Sequence, residues 1–462
     1  MRALGIAEKL YKKNLIVYQL KKMGLDTIKK SDSFTRWQLI CFGLLTTPLA
    51  MGGLAMAMYL PTFYAVDMGL GLGLVGLVFV FGRLFDIVTD PLIGHWSDET
   101  RSRLGPRKPW MIAGVIGFGL SVYLFLVPPD NAGLIYLAIV SGCYFLFYTV
   151  LDVPYSSIGL EVSPHVHERS LLAGSKAVFQ VIGAIFAAAL PFILGLSVGD
   201  ALSVLAGSII SLCIFGLILF LYFVPVPVRQ VDAPRLTTFA ALKWVMRDRR
   251  YRYLVGTFLI VQTANSLIAG LMVLYVTHFV EAPELVGLFL GILLLSSAVF
   301  LPLWIFVSKR YSKKTAWMGA IFLCSLALML VPFIGRGDVS SAIIVSIIIG
   351  STFGCDAIMP TSMLADIVYE KEREGANRLA GLYLAVKNSV SKLSFVAPMG
   401  LAFPALGYIG FEDTGADGPH AAFVFLFFYS VLPIMLRLLA LIILKTGPSF
   451  IVDDVEEAAP LA

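Results

Sequence analysis

The chain has 462 residues, 58% of them hydrophobic and only 14% charged, with a formal net charge of +5. Soluble domains carry roughly a quarter charged residues, so an ordinary water-soluble protein is excluded. The apolar residues fall in runs of about 20 to 28, long enough to cross a hydrocarbon core of roughly 30 Å as helices. Backbone groups in lipid must be satisfied within their own element, and these runs lack the two-residue alternation of barrel strands, so an all-α membrane protein is expected. Cys41, Cys143, Cys213, Cys324 and Cys355 all lie inside apolar runs with no C-x-x-C spacing, which gives neither a disulfide scaffold nor a zinc site.

Residues 1–36 form a basic N-terminal segment without the apolar core of a secretory signal. Tyr11, Leu15 and Tyr18 follow a helical spacing there, which fits a surface helix on anionic lipid as well as a solvated cytoplasmic tail. Six spans follow within residues 37–225, at about 37–65, 70–96, 109–127, 133–160, 169–195 and 199–225. A basic connector, residues 226–251, separates them from six more within 252–445, at about 252–280, 284–308, 315–335, 340–362, 377–408 and 420–445. Residues 446–462 are the tail.

Alternate connections hold the Lys and Arg: Arg101, Arg103, Arg107 and Lys108, then Arg169, the central connector, Lys309 to Lys314, and Lys371 to Arg378. The remaining connections are nearly free of them, so the positive-inside rule places both termini in the cytoplasm of a multi-pass protein in the cell (inner or plasma) membrane. The basic turns after the second and eighth spans echo each other, the mark of a duplicated six-helix unit. No phosphate-binding loop, nucleophile elbow or metal-ligand cluster is present, and the pair His165 and His167 sits in a short polar turn without further ligands. An enzyme or nucleotide-driven pump is therefore not expected, nor a cofactor, nor a nucleic-acid partner.

Ionisable residues within the spans carry the functional signal, since each is costly in lipid and needs a partner or an aqueous cavity. Arg83, Asp86 and Asp90 in the second span are three and four residues apart and share one helical face. Two carboxylates one turn apart make an oxygen-rich site for a small cation or proton. Asp152 lies in the fourth span and Lys392 in the eleventh. With all five around one chamber, three acids and two bases leave −1, a surplus that would attract a monovalent cation. Buried ion pairs can also serve only to lock helices, but five ionisable groups on three helices favour transport. Lys176, Asp356 and Lys387 are weaker candidates, either cavity-lining or close to a helix end, and Lys387 could also pair with an acid. Gln262 and Asn265 could touch solute or bond between helices. Gly69, Gly71, Gly73, Gly76 and Gly82 read as sites of close helix approach.

The stretch from Gly82 to Gly94, with Arg83, Asp86, Asp90 and Pro91, continued by Ser97 to Gly105, resembles the second-helix signature of the glycoside–pentoside–hexuronide:cation symporters of the major facilitator superfamily. Asp152-Val153-Pro154-Tyr155, Glu168-Arg169, Ala365-Asp366-Ile367-Val368 and the spacing to Lys392 extend the resemblance over nearly the whole chain from about residue 40. It implies two pseudo-symmetric six-helix bundles, alternating access, and a Na+, Li+ or H+ site at Asp86 and Asp90. Arg83 and Lys392 match helix-linking bases. Asp152 matches an acid that serves both solute and cation, and Lys176 stands near the family's fifth-helix arginine. Asp98, Arg101 and Arg103 resemble a cytoplasmic gate that pairs in one state and parts in the other. Tyr155, Lys176, Gln262, Asn265, Asp356 and Lys387 join Asp152 as candidate solute contacts.

Departures from the family are equally informative. The first span reads Thr46-Thr47-Pro48-Leu49-Ala50 where sugar-binding members carry an acid, Ser156 replaces a stacking tryptophan, and Ala357 lies where another would stand. The cation machinery is complete and the sugar platform is not. The expected function is cation-coupled symport of a small organic solute, with a glycoside or uronate foremost, by a monomer in membrane lipid. The alternative is a carrier or flippase of an amphipathic lipid such as a lysophospholipid.

Overall fold

The computed structural model describes residues 34–161, 166–194, 198–224, 246–373, 380–411 and 420–448. The basic N-terminal segment, most of the central connector, His165 and the tail beyond residue 448 lie outside them. The described residues are all helical or in short turns, and twelve spans are long and apolar enough to cross a membrane. They are α1 (Arg36–Asp67), α2 (Leu72–Glu99), α3 (Lys108–Leu126), α4 (Leu134–Glu161), α5 (Val166–Leu194), α6 (Val198–Phe223), α7 (Arg249–His278), α8 (Pro283–Arg310), α9 (Lys313–Phe333), α10 (Val339–Arg373), α11 (Ala380–Ser394, continued to Phe403–Tyr408) and α12 (Ala421–Thr446).

Polar residues at the helix starts satisfy the free N–H groups that a first turn leaves. Thr35 and Gln38 form a capping box at α1, Asp248 accepts from the Tyr251 N–H at α7, and Ser312 accepts from the Thr315 N–H at α9. Asp338, outside the spans, accepts from the Ser341 N–H ahead of α10, and hydrogen bonding from the Ser341 hydroxyl, then from that N–H, holds its carboxyl below its ordinary range. α7 begins inside the segment expected as connector, and α10 runs eleven residues past its expected end. Pro91, Pro154 and Pro360 sit inside long helices, tolerated where neighbouring helices re-satisfy the freed carbonyls.

The internal duplication is visible in the packing. α3 lies on α4, α2 on α4, α3 on α6, α1 on α5 and α1 on α6; six helices later the same pairs recur as α9 on α10, α8 on α10, α9 on α12, α7 on α11 and α7 on α12. Outward side chains such as Ile116, Leu120, Ile135, Phe306 and Ile442 are largely exposed, an apolar belt that suits lipid.

The two halves meet along α2 and α11 on the side away from the termini. A methyl group built on Gly76 would come within 2.3 Å of the Met399 carbonyl oxygen, and one on Gly407 within 2.9 Å of the Gly73 nitrogen. Gly82 makes room for the Phe145 ring in the same way. Gly69 and Gly71 have a different reason: both adopt left-handed φ, +66° and +83°, in the turn that opens α2. α1 carries π-helical turns at Ala55–Tyr59 and Phe63–Asp67, and α11 one at Pro398–Ala402, beside the seam. Residues of α7 lie against the first π turn of α1, and the first half of α8 lies against α5.

A charged cluster between the halves

Arg83, Asp86 and Asp90 do share one face of α2, and that face is turned toward α4 and α11. Asp86 is fully buried. The Thr149 hydroxyl of α4 lies 2.7 Å from Asp86 Oδ1 and 3.1 Å from Asp90 Oδ1. Lys392 of α11 reaches across from the other half, its Nζ 3.0 Å from Asp86 Oδ2 and 2.7 Å from Asp90 Oδ2. Among the described residues, the ion pairs that join the two halves are those of Lys392. Arg83 Nη1 lies 3.4 Å from Asp86 Oδ2, and its guanidinium is held between the Phe145 ring of α4 and the Phe395 ring of α11, at 5.1 and 5.2 Å. Such stacking suits the delocalised charge of an arginine.

A second group adjoins the first. Lys176 of α5 donates to Asp152 Oδ1 at 2.9 Å and to the Ser156 hydroxyl at 2.5 Å, while Ser156 itself donates to Asp152 at 3.1 Å. Thr149, which meets Asp86 and Asp90, lies three residues before Asp152 on α4, so the two groups adjoin along one face of that helix. Lys176 therefore corrects the charge count: Asp86, Asp90 and Asp152 face Arg83, Lys176 and Lys392, and the sum is zero rather than −1. Spacing along the chain could not reveal this, because Lys176 and Asp152 stand on different helices. Tyr155 also departs from expectation. Its hydroxyl donates to the Phe42 carbonyl at 2.7 Å and lies 2.8 Å from Thr46 Oγ1, the side chain is fully buried, and only its ring face meets Lys176, at 5.0 Å.

The C-terminal half holds a separate polar cluster. Asp356 of α10 is fully buried and accepts from Trp317 Nε1 at 3.1 Å, from Asn265 Nδ2 at 3.2 Å and from Arg437 Nη2 at 3.0 Å. Arg437 also donates to Asn265 Oδ1, and Asn265 donates to Gln262 Oε1 at 3.1 Å. Asp356 and Asn265, expected as solute contacts, are thus engaged in a buried network, in which Arg437 Nε and Nη1 have no hydrogen-bond partner; Gln262 at its edge is partly exposed. Arg437 was not among the expected residues, although a lone arginine within the apolar run of α12 carries the same signal that singled out Asp356. Lys387 lies with its Nζ 4.6 Å over the Phe258 ring of α7.

The expected gate differs as well. Asp98 pairs with Arg107, Nη2 to Oδ1 at 2.8 Å, within the N-terminal half, whereas Arg101 and Arg103 are exposed. Arg107, at the foot of α3, thus supplies a guanidinium that meets the last turn of α2.

The profile of the family described as MFS/sugar transport protein matches residues 41–448. Among individual relatives, the chain is 27% identical over 412 residues to the inner membrane symporter YicJ of Escherichia coli, covering 84% of this chain and 86% of that one. It is 24% identical over 474 residues to the sodium-dependent lysophosphatidylcholine symporter 1-A of Danio rerio, covering 91% and 87%. The structure superposes on that of the nucleoside transporter NupG with a TM-score of 0.63 over 89% of this chain and 100% of that chain, at 15% identity.

Proposed function

Because the chain belongs to the MFS/sugar transport protein family, we propose that it is a secondary active transporter in which a monovalent cation at Asp86 and Asp90 is coupled to movement of a small organic solute by alternating access. The observation that carries this reading is Lys392, an ammonium from one half resting on two carboxylates of the other. Asp86, Asp90 and the Thr149 hydroxyl supply hard oxygen donors suited to Na+, and the paired carboxylates equally suit a proton. A cation arriving there takes over the neutralising role of Lys392 and frees it, so ion occupancy and the tie between the halves are linked. With the glycine seam closed on the far side, the partly exposed Asp90, Asp152, Lys176 and Lys392 open toward the side of the termini. That side is the cytoplasm on the Lys and Arg distribution.

Asp86→Cys or Asp90→Cys should abolish concentrative uptake while the protein still inserts; normal sodium-driven accumulation in both would defeat the reading. Uptake that depends on sodium at fixed pH names Na+, and uptake indifferent to sodium but collapsed by an uncoupler names H+. A cysteine replacing Ser102 should resist an impermeant thiol label applied from outside.

A lipid cargo is the second reading, supported by the missing sugar platform. Where a stacking tryptophan is expected, Ser156 is bonded to Asp152 and Lys176. A thermal-shift screen of sugars, uronates and lysolipids with and without sodium separates the two.

A further inference from the structure

Leaving aside residues near helix ends, such as Glu168 and the Lys313–Asp366 and Arg250–Glu370 pairs, the described spans hold four acids, Asp86, Asp90, Asp152 and Asp356, and five bases, Arg83, Lys176, Lys392, Arg437 and Lys387. Four of the bases lie on an acid: Arg83 on Asp86 at 3.4 Å, Lys176 on Asp152 at 2.9 Å, Lys392 on Asp90 at 2.7 Å and Arg437 on Asp356 at 3.0 Å. Lys387 is the fifth, and among the described residues it meets no carboxylate. Its ammonium has only the face of the Phe258 ring, which offsets part of the cost of removing the charge from water.

The helix geometry says where this charge points. At about 100° per residue, Lys387, Asn388, Ser391 and Lys392 fall within an arc of about 140° on α11. That is the side that carries Lys392 to Asp86 and Asp90, and the exposed, lipid-type Leu393 lies on the other side. On α7, Phe258, Gln262 and Asn265 share one face, so the partly exposed Gln262 amide stands on the wall beside Lys387. This face thus presents an ammonium that meets no carboxylate among the described residues, flanked by neutral hydrogen-bonding groups.

We propose that Lys387, with Gln262 and Ser391 beside it, is a subsite for an oxyanion on the transported solute, a carboxylate or a phosphate. The solute is accordingly an anion, whose charge balances the fifth base. This rests on the transport reading of the same chamber, and it singles out charged over neutral cargo.

The test uses the purified full chain and two matched probe pairs: methyl glucuronide against methyl glucoside, and lysophosphatidate against monoacylglycerol. Thermal stabilisation should come from the charged member of one pair and not from its neutral partner; the responding pair tells a sugar acid from a lipid headgroup. Lys387→Gln should weaken that anion by at least about 10-fold, the lower end of what loss of a charge-assisted hydrogen bond produces, while Lys387→Arg retains most of it. Without ligand, Lys387→Gln should be as stable as the parent or more so, because it removes an unpaired charge. Stabilisation by sodium at Asp86 and Asp90 should be unchanged in both variants.

Equal stabilisation by the neutral members overturns the proposal, and so does full affinity for the anion in Lys387→Gln. Response to neither anion, where sodium stabilises the protein, counts against it too. Failure of the cation-site reading looks different: Asp86→Cys and Asp90→Cys would both keep sodium-driven uptake while the charge preference at Lys387 stood.

Discussion

The two halves handle buried charge in opposite ways. In the N-terminal half, Asp86, Asp90 and Asp152 are served by bases from α2, α5 and α11, and Asp90 and Lys392 retain side-chain exposures of 24% and 22%. In the C-terminal half, Asp356 and Arg437 are both at 0%, fixed by Trp317 and Asn265. A pair that keeps some contact with water can trade a partner for an ion at modest cost. A pair sealed from water cannot, since parting it leaves a bare charge in a medium of low polarity. On the proposed reading, the same kinds of side chain make an exchange site in one half, where Asp86 is buried but Asp90 and Lys392 are not, and a rivet in the other.

The sharpest way to break this contrast is Lys392→Gln. It should leave a folded protein that binds sodium as well as the parent or better, because the carboxylates no longer share their charge with an ammonium, yet accumulates no solute. Sodium-dependent thermal shifts and uptake, measured together, check it. Asp356→Leu alone should destabilise the protein by about 3–5 kcal/mol by stranding Arg437. The double variant with Arg437→Met should recover most of that loss in chemical denaturation, marking the cluster as structural; persistent loss of uptake in a well-folded double variant would move it into the transport path. Trp317→Phe, which removes one donor to Asp356, should cost about 1–3 kcal/mol. Asp98→Asn is the mildest: its partner Arg107 lies at the membrane edge with Asp98 40% exposed, so less than about 1 kcal/mol is expected.

How much of this was legible beforehand depends on distance along the chain. The twelve spans follow from length and apolarity, and the shared face of Arg83, Asp86 and Asp90 follows from helical periodicity. The meeting of Lys392 with that face is a contact 302 residues apart in sequence, and it was reached through family resemblance rather than spacing. Lys176 with Asp152, Arg437 with Asp356 and Asp98 with Arg107 were not foreseen, because a pattern of residues fixes which side of a helix a charge occupies but not which neighbour that side meets. For Tyr155 and Asp356 the type of residue suggested contact with solute. In the structure Tyr155 is engaged by Phe42 and Thr46, and Asp356 by Trp317 and Arg437. Glycines were ambiguous for a similar reason: the five in the second span and its turn look alike in sequence, yet Gly69 and Gly71 serve backbone conformation while Gly76 and Gly82 serve clearance.

The seam of Gly73, Gly76 and Gly407 has one more consequence. Main chain there comes close to main chain, with few side chains between. On the proposed alternating-access reading, a single added methyl at position 76 would act as a doorstop against the Met399 carbonyl, holding the mouth away from the termini ajar. Such a variant would sit in the opposite half of its working cycle while every charged residue stayed in place.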